Sequence, residues 1–295
     1  MAERIEVDRT LRASMMKLLG DAQRYVSLKI LKAQGGVPTL FDIAVLERLR
    51  LLRESANSAA YSRPDALNEA MALVSDYYQF SQRPRYERYS QRATRTPGSA
   101  WLSWDTCALH FNASQGATEC LSWRGLPLFK TVFDFAIYPM LISELKPSTI
   151  VELGSGTGAS AVWFADLLRL NGINGRVYSV DLHAPAVRDP DVHFIQGDCS
   201  NIGSVLASDH LRKYPHPWLV IEDMHVNTLG VLIHFADLME RGDYIVVEDS
   251  RSKRGELQAF DERYGSSFHI DSRYCDFFGH NSTCSADSIF VKVTC

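Results

Sequence analysis

A glycine-rich turn within residues 148–160 constrains the fold of this chain more than any other segment. The apolar run 149–151 predicts a short buried parallel strand that leads directly into Glu152. Alternating glycines follow, and they let the backbone turn tightly and approach a ligand closely because no Cβ intervenes. A helix with apolar periodicity then begins at Ser160, so its N-terminal amides face the same turn. Strand, turn and helix together predict a nucleotide-type pocket.

The acid before the glycines indicates which nucleotide this pocket prefers. Gly154, Gly156 and Ala159 fit the G-x-G-x-x-G/A pattern of dinucleotide-binding proteins, but that pattern alone has low specificity. Glu152 would repel a pyrophosphate, whereas it would attract a cationic amine. The E-x-G-x-G-x-G form also resembles the first motif of class I S-adenosylmethionine-dependent methyltransferases, whose ligand carries an ammonium and a sulfonium but no phosphate. We therefore favour S-adenosylmethionine over a nicotinamide cofactor, and both over a structural turn without a ligand.

Composition and charge narrow the class of protein further. The 295 residues are 46% hydrophobic and 22% charged, which is typical of globular proteins with a sizeable core. A net charge of −4 argues against bulk binding of nucleic acid or of an anionic membrane. The chain has no apolar run of membrane-spanning length, and its first residues are too charged for a secretory signal. We expect a cytoplasmic protein whose six cysteines, none in a C-x-x-C pair, are reduced and mostly buried.

The first third of the chain predicts helices without recognisable chemistry. Apolar residues at three- and four-residue spacing favour helices at about 8–33, 39–54 and 65–80. Their apolar stripes must be buried against another surface. We therefore expect residues 1–100 to form a helical cap that closes the pocket and joins subunits of a homo-oligomer, and residues 101–295 to form the catalytic domain.

A stretch rich in arginine and tyrosine follows at residues 82–98. Its five arginines (83, 85, 88, 92 and 95) and two tyrosines are typical either of a clamp or lid for an acceptor or of a solvated connector, and we favour the connector. Trp101, Trp104 and Trp123 come next, and they suit an acceptor pocket and packing between subunits equally well.

From Trp123 onwards the chain predicts alternating helices and strands. We expect strands at 149–153, 176–180, 192–196, 218–221, 244–247, 267–271 and 287–293, with helices at 133–145, 160–168, 228–240 and 254–264. This alternation predicts an α/β fold with a doubly wound, mostly parallel seven-stranded sheet, as in methyltransferases, preceded by the N-terminal helical cap.

Five of the predicted strands in a row end in an acid, on the edge of the sheet where ligands bind. Asp181 is placed to accept hydrogen bonds from both ribose hydroxyls, and Asp198 to accept one from the adenine amino group. Cys199 or Ile202 would then lie against the adenine ring. The predicted cofactor-binding residues are Glu152, Gly154, Ser155, Gly156, Ser160, Asp181, Leu182, Asp198 and Cys199.

The remaining strand-end acids predict a metal site. Asp223, Glu248 and Asp249 follow neighbouring strands, and all-oxygen ligation of this kind suits Mg²⁺. His225 lies two residues after Asp223 and is either the general base for a substrate hydroxyl or a surface histidine. Glu222 competes with Asp223 for the ligand role because side chains alternate at a strand end.

Several of these segments together carry a family resemblance. They are Trp123-Arg124-Gly125-Leu126-Pro127, Lys130, Asp134, Tyr138, residues 144–147, residues 150–154 and residues 242–249. Over about residues 120–293 the chain resembles the cephalosporin hydroxylase-like family of magnesium-dependent methyltransferases from natural-product and sugar pathways. The resemblance implies a last strand that is antiparallel, and metal ligands at Asp223, Glu248 and Asp249. The family's base histidine is expected three residues after the first metal acid, whereas His225 is two residues after Asp223.

The function that we predict is S-adenosylmethionine-dependent, metal-assisted O-methylation of a small natural-product acceptor, with Asp223 and His225 as catalytic residues. One alternative is methylation at nitrogen or carbon, which needs no metal. Another is a non-catalytic partner of an oxygenase that keeps the methyltransferase fold.

Overall fold

The computed structural model divides the chain into two compact units. One consists of residues 1–83, 96–107 and 277–280, and the other of residues 84–95, 108–276 and 281–295. The residues that the structure describes are 13–14, 16–28, 40–55, 68–69, 71–75, 85–92, 121–278, 281 and 283–294. The tryptophans at 101 and 104, and parts of the three predicted N-terminal helices, lie outside these residues.

The second unit contains a sheet of eight strands and a separate two-stranded hairpin. The strands are β1 (Tyr86–Glu87), β2 (Ser122–Trp123), β3 (Leu126–Pro127), β4 (Thr149–Leu153), β5 (Arg176–Asp181), β6 (Val192–Gln196), β7 (Trp218–Glu222), β8 (Tyr244–Val247), β9 (Phe268–Asp271) and β10 (Ile289–Lys292). The order in the sheet is β1-β9-β10-β8-β7-β4-β5-β6. Strands β8, β7, β4, β5 and β6 are parallel, whereas β10 is antiparallel to both of its neighbours.

Nine α-helices have defined bounds in the described part of the chain, and all but the first lie in the sheet unit. They are α1 (Leu40–Ser55), α2 (Tyr89–Arg92), α3 (Asp134–Leu145), α4 (Ala159–Leu170), α5 (Ile202–Val205), α6 (Ser208–Leu211), α7 (Thr228–Ala236), α8 (Arg254–Tyr264) and α9 (Ser272–Cys275). Rings stack between α3 and α4, where the centroids of Phe135 and Trp163 are 4.8 Å apart. No described helix has the length and apolar character needed to cross a bilayer.

The core of the sheet explains why the sequence predicts the strands so closely. Every residue of β4, β7 and β8 is buried, because helices cover both faces of a doubly wound parallel sheet. Continuous runs of branched apolar residues are therefore needed there, and these runs are visible in the sequence. All seven predicted strands are present, the antiparallel last strand is present, and the predicted doubly wound fold is confirmed.

The eighth strand corrects the prediction for the arginine–tyrosine stretch. Residues Tyr86–Glu87 form β1 and pair antiparallel with β9. Arg92 is fully buried, and its guanidinium binds Asp276 at 2.8 Å and Asp287 at 2.8 Å. A solvated connector is therefore wrong for residues 85–92. The local sequence could not show this, because the stretch is stabilised by ion pairs with residues near the other end of the chain.

The first unit contains a small helical core of its own. Residues 13–14, 16–28, 68–69 and 71–75 are helical, as is α1, so the three predicted N-terminal helices are confirmed within the described residues. The buried side chains of this core are Leu19, Ala22, Val26, Val45, Leu49, Leu52 and Leu73.

Candidate active site

Backbone hydrogen bonds hold the ends of four strands, β5, β4, β7 and β8, side by side at the carboxyl edge of the sheet. The amide of Gly154 donates to Val180 at 2.8 Å, and the amide of Asp223 donates to Leu153 at 2.9 Å. The amide of Glu248 likewise donates to the carbonyl of Glu222 at 2.9 Å. The glycine turn and the acids after β7 and β8 therefore lie on neighbouring positions of one edge, as the predicted parallel topology requires.

The glycine turn needs its glycines for two separate reasons. Gly154 has a φ of +111°, and a Cβ at this position would lie only 2.7 Å from the carbonyl oxygen of Asp223. Gly156 has a φ of +49° in open space, so its requirement is conformational alone. The close approach at Gly154 ties the position of the predicted cofactor turn to the position of the predicted metal acid.

Glu152 is a fully buried acid beneath the glycine turn. Its Oε2 accepts a hydrogen bond of 2.5 Å from Ser179, while its Oε1 has no hydrogen-bond partner among the described residues. Burial raises the pKa of Glu152, and the nearby Lys130 ammonium opposes that rise. A buried carboxylate oxygen without a donor is costly, so Glu152 fits a ligand that brings an ammonium group.

The other predicted cofactor residues are spread along the ends of β5 and β6. Asp181 accepts from the amide of Gly156 at 2.9 Å, so this acid already braces the turn. Asp198 is exposed, and it caps the following turn by accepting from the amide of Ser200 at 2.8 Å, a bond that lowers the pKa of Asp198. Cys199 is buried, and burial raises the pKa of its thiol to about 12. The side chain of Leu182 is half exposed.

An acid–histidine cluster lies at the end of β7 and β8. Asp223, His225 and Asp249 each present a ligand atom, and these atoms all lie within 4.8 Å of one another. The Nε2 atom of His225 is 3.7 Å from Asp223 and 3.5 Å from Asp249. Burial opposes the ionisation of Asp223, but the Lys130 ammonium, together with Glu248 and His225, lowers the pKa of Asp223 overall. Burial raises the pKa of Asp249, and the charge of Asp223 adds to the rise.

Glu248 lies behind this cluster, in a buried hydrogen-bond network. Its Oε2 accepts from Lys130 at 2.6 Å, and its Oε1 accepts from the hydroxyl of Tyr138 at 2.5 Å. Burial raises the pKa of Glu248 well above its ordinary value. Both oxygens of Glu248 therefore have protein donors.

Glu222 points to a different partner from Asp223. It is fully buried, and its carboxylate accepts from Lys253 at 2.7 Å. Of the two adjacent acids at this strand end, the structure places Asp223 beside His225, whereas Glu222 belongs to a separate ion pair. Alternation of side chains at the end of a strand accounts for the difference.

Two cavities meet at this edge of the sheet. One of about 200 Å³ follows the glycine turn from Gly154 to Ser160 and reaches Asp181. The other, of about 270 Å³, is lined by His225, Glu248 and Asp249. Both cavities are also lined by Phe129, Lys130 and Asp223. A ligand in the first cavity and a ligand in the second would therefore face one another across the same three side chains.

A larger cavity of about 460 Å³ lies at the opposite edge, beside the residues that precede β7 and β8. Its buried acid, Asp243, accepts from the amides of Trp218 and Glu240 and pairs with His216. Asp243 therefore has a complete structural role, and this cavity lacks the acid cluster of the carboxyl edge.

Comparison with known proteins agrees with this geometry. A sequence model of the rhamnosyl O-methyltransferase/CmcI family matches residues 115–267, just over half of the chain. The chain belongs to this family. Rhamnosyl O-methyltransferases of Mycobacterium tuberculosis and Mycobacterium leprae are 33% identical to it over 138 and 140 residues. Each alignment covers 44% of this chain, and 56% and 60% of the respective relatives, so the chain matches little more than half of their length.

Solved structures of CmcI show the same fold. An apo structure of CmcI has a TM-score of 0.52 and 28% identity, covering 72% of this chain and 88% of that one. A CmcI structure that contains Mg and SAM has a TM-score of 0.52 and 27% identity, covering 72% and 87% of the two chains. The predicted family resemblance is confirmed by these matches.

Sequence reasoning assigned no role to Lys130, Tyr138 or Phe129, although the first two helped to identify the family. Lys130 and Tyr138 both donate to Glu248 inside the network, and the Phe129 side chain is 58% exposed at the junction of the two cavities. No local pattern could have found them, because they come from the segment before β4 and reach the site only in the folded protein.

Proposed function

We propose that this protein transfers a methyl group from S-adenosylmethionine to an oxygen of a small-molecule acceptor, with the help of a divalent cation such as Mg²⁺. The observation that carries the proposal is the meeting of two cavities at Asp223, one beneath the glycine turn and one around the acid–histidine cluster. Relatives named rhamnosyl O-methyltransferase, and a CmcI structure containing Mg and SAM, support the same chemistry.

The first cavity is lined by the glycine turn and by Asp181, which suit S-adenosylmethionine. Glu152 lies beneath the turn and does not line this cavity, but its Oε1 has no hydrogen-bond partner among the described residues and would accept from the ammonium group once the turn admits the ligand. Asp181 would give up part of its contact with the turn in order to bind the ribose. We propose the predicted cofactor residues as the binding set on this basis.

The second cavity has the groups that a metal-assisted transfer needs. Asp223 and Asp249 would hold the cation, and Glu248 would brace it from within the buried network. The bound cation would supply a positive charge that orients the acceptor oxygen and lowers its pKa. His225 is half exposed and lies beside both aspartates, so it would accept the proton of the acceptor hydroxyl.

A two-part experiment tests the proposal. Calorimetry should detect micromolar binding of S-adenosylhomocysteine and no comparable binding of NADH. Asp249→Ala should then abolish transfer from a labelled methyl donor to a panel of hydroxylated metabolites, while binding of S-adenosylhomocysteine stays unchanged. Asp209→Ala, at an exposed aspartate of α6, is the matched control and should behave as wild type. Full turnover by the Asp249 variant, or after chelation of metal, would exclude the metal role.

We propose further that residues 1–100, apart from the segment 84–95 that belongs to the sheet unit, form a cap and join subunits of a homo-oligomer. Support comes from the helical core of the first unit, which buries one apolar stripe of its helices, while Leu28, Leu51 and Met71 keep at least 39% of their surface exposed. Light scattering of the full chain should give more than one subunit's mass, and a monomer at micromolar concentration would contradict this.

A further inference from the structure

Lys130 is a buried lysine whose ammonium contacts two acids of the proposed metal site. Its side chain is 2% exposed, and its Nζ lies 2.8 Å from Oδ2 of Asp223 and 2.6 Å from Oε2 of Glu248. Lysine is seldom buried this completely unless it is paired. Two simultaneous contacts with carboxylates from neighbouring strands therefore call for an explanation beyond packing.

The segment around Lys130 is fixed on both sides. Before it, the carbonyl of Pro127 accepts from the Thr157 hydroxyl at 2.7 Å, and the amide of Leu128 donates to Leu121 at 3.0 Å. After it, the hydroxyl of Thr131 accepts from the amide of Asp134 at 3.2 Å and so begins α3. The fixed backbone therefore restricts the ammonium group of Lys130 to one position, whereas the ammonium group of a surface lysine is flexible.

The charges at the edge of the sheet show what the ammonium does there. Asp223, Glu248 and Asp249 bring three acids together, and carboxylates at such separations repel one another unless a cation compensates. Lys130 supplies one positive charge within hydrogen-bonding distance of two of them. It contacts oxygens of two of the three acids that are predicted to bind the divalent cation.

We propose that Lys130 is a built-in counter-cation, which holds Asp223 and Glu248 together in the metal-free protein and competes with the metal ion for them. It is a positioning residue that sets the affinity of the site for metal. This inference rests on the metal role of the proposed function.

The proposal predicts two opposite effects of removing the charge of Lys130, one on stability and one on metal affinity. Lys130→Met should destabilise the metal-free protein, because two buried carboxylates lose their cation. The same variant should bind Mg²⁺ more tightly, because the ion no longer displaces an ammonium or meets its repulsion. With an effective dielectric of about 20, a unit charge a few ångströms away is worth more than tenfold in the affinity of a divalent ion. A merely structural lysine would lower stability and metal affinity together.

The experiment compares two buried lysines. Mg²⁺ binding is measured by calorimetry on the full-length wild type, on Lys130→Met and on Lys253→Met, and melting is followed with and without Mg²⁺. Lys253 is the matched control, since its Nζ contacts the buried Glu222 at 2.7 Å and lines neither cavity. We expect Lys130→Met to tighten Mg²⁺ binding about tenfold or more and to enlarge the Mg²⁺-induced rise in melting temperature. Lys253→Met should change the affinity by a clearly smaller factor than Lys130→Met, because Lys253 contacts neither Asp223 nor Glu248 through the hydrogen bonds that Lys130 makes.

The outcomes separate this inference from the proposed function. Wild-type binding of Mg²⁺ with equal or weaker binding by Lys130→Met would overturn the inference alone. Absence of Mg²⁺ binding in both proteins would overturn the metal role and the inference together, while binding of S-adenosylhomocysteine would still report on the rest of the function. If Lys130→Met does not fold, Lys130→Gln, which keeps hydrogen-bond donors but not the charge, must show the same tightening.

Discussion

Replacing Gly154 with alanine should disturb the cofactor turn and the metal site at the same time. A Cβ at Gly154 would meet the Asp223 carbonyl oxygen at 2.7 Å, and the residue would have to hold a φ of +111°. Gly156 offers a matched control, because its φ is also positive, at +49°, but nothing lies within 4 Å of the position that an added methyl group would take. The two substitutions therefore separate a close approach from backbone strain.

The structure sets the expected size of each effect. Strained backbone at Gly154→Ala costs about 1–3 kcal/mol, and pushing the end of β7 aside costs about 1–3 kcal/mol more, so we expect a loss of roughly 4 kcal/mol in the free energy of unfolding. Gly156→Ala should lose only about 1–2 kcal/mol, since alanine tolerates the left-handed region at that cost.

Urea unfolding followed by tryptophan fluorescence measures both losses, because Trp163 and Trp218 are buried in the sheet unit. Gly154→Ala should also weaken Mg²⁺ binding, since Asp223 must move, whereas Gly156→Ala should leave it within about threefold of wild type. Equal losses of stability in the two variants, or unchanged Mg²⁺ binding in Gly154→Ala, would refute the steric link between the turn and the metal acid.

Three further predictions concern charged residues. Arg92→Met should lower the free energy of unfolding by about 3–5 kcal/mol, because Asp276 and Asp287 lose a buried guanidinium. Arg50→Met, at an exposed arginine of α1, should leave the free energy of unfolding nearly unchanged, and urea unfolding measures both variants. The Arg169 guanidinium lowers the pKa of Asp189. The folded-state pKa of Asp189 lies below the unfolded value of about 3.9, so the ionised acid stabilises the fold above that pH. This contribution disappears as the pH falls through the folded-state pKa. Asp189→Asn should therefore flatten the decline of melting temperature below about pH 4. Glu152→Gln should weaken binding of S-adenosylhomocysteine about tenfold or more in calorimetry, with Mg²⁺ binding unchanged, because it removes the charge that meets the ammonium.

Each of these has a contradicting result. A loss below about 1 kcal/mol in Arg92→Met would mean that the buried ion pairs contribute little beyond their desolvation cost. If the melting temperature of Asp189→Asn declines at low pH as it does in the wild type, the ion pair between Asp189 and Arg169 is absent in solution. If Glu152→Gln binds S-adenosylhomocysteine as tightly as the wild type does, the ammonium group must bind at a residue other than Glu152.

The parallel part of the fold was predictable because its signals are local. Strands such as β4 and β8 are buried on both faces, so they consist of apolar runs that end at a glycine or an acid. Acids that follow adjacent parallel strands therefore lie side by side at the carboxyl edge of the sheet, because parallel strands share their carboxyl ends. The prediction of β4, β6 and β8 is accordingly correct to the residue.

The rest depended on contacts that no local pattern contains. Strand β1 has only two residues, too few to show a repeating pattern, and Glu248 gains its partners from a segment far earlier in the chain. The spacing of His225 is a third case. His225 has a φ of +58°, and this left-handed turn brings its ring back beside Asp223 although it is two residues away. The number of residues between two side chains does not predict a left-handed backbone conformation of this kind.

The pairing of β1 also has a consequence for how the chain is made. Arg85 and Asp271 are 186 positions apart, and Arg92 and Asp287 are 195 positions apart. A ribosome that adds about 5–20 residues per second therefore releases β1 roughly 10–40 seconds before its partner exists. Contacts between such distant positions are also the slowest to close, because the intervening loop must be ordered first. The sheet is consequently completed only after β9 has been made, by the return of a segment synthesised much earlier to an edge that has just emerged.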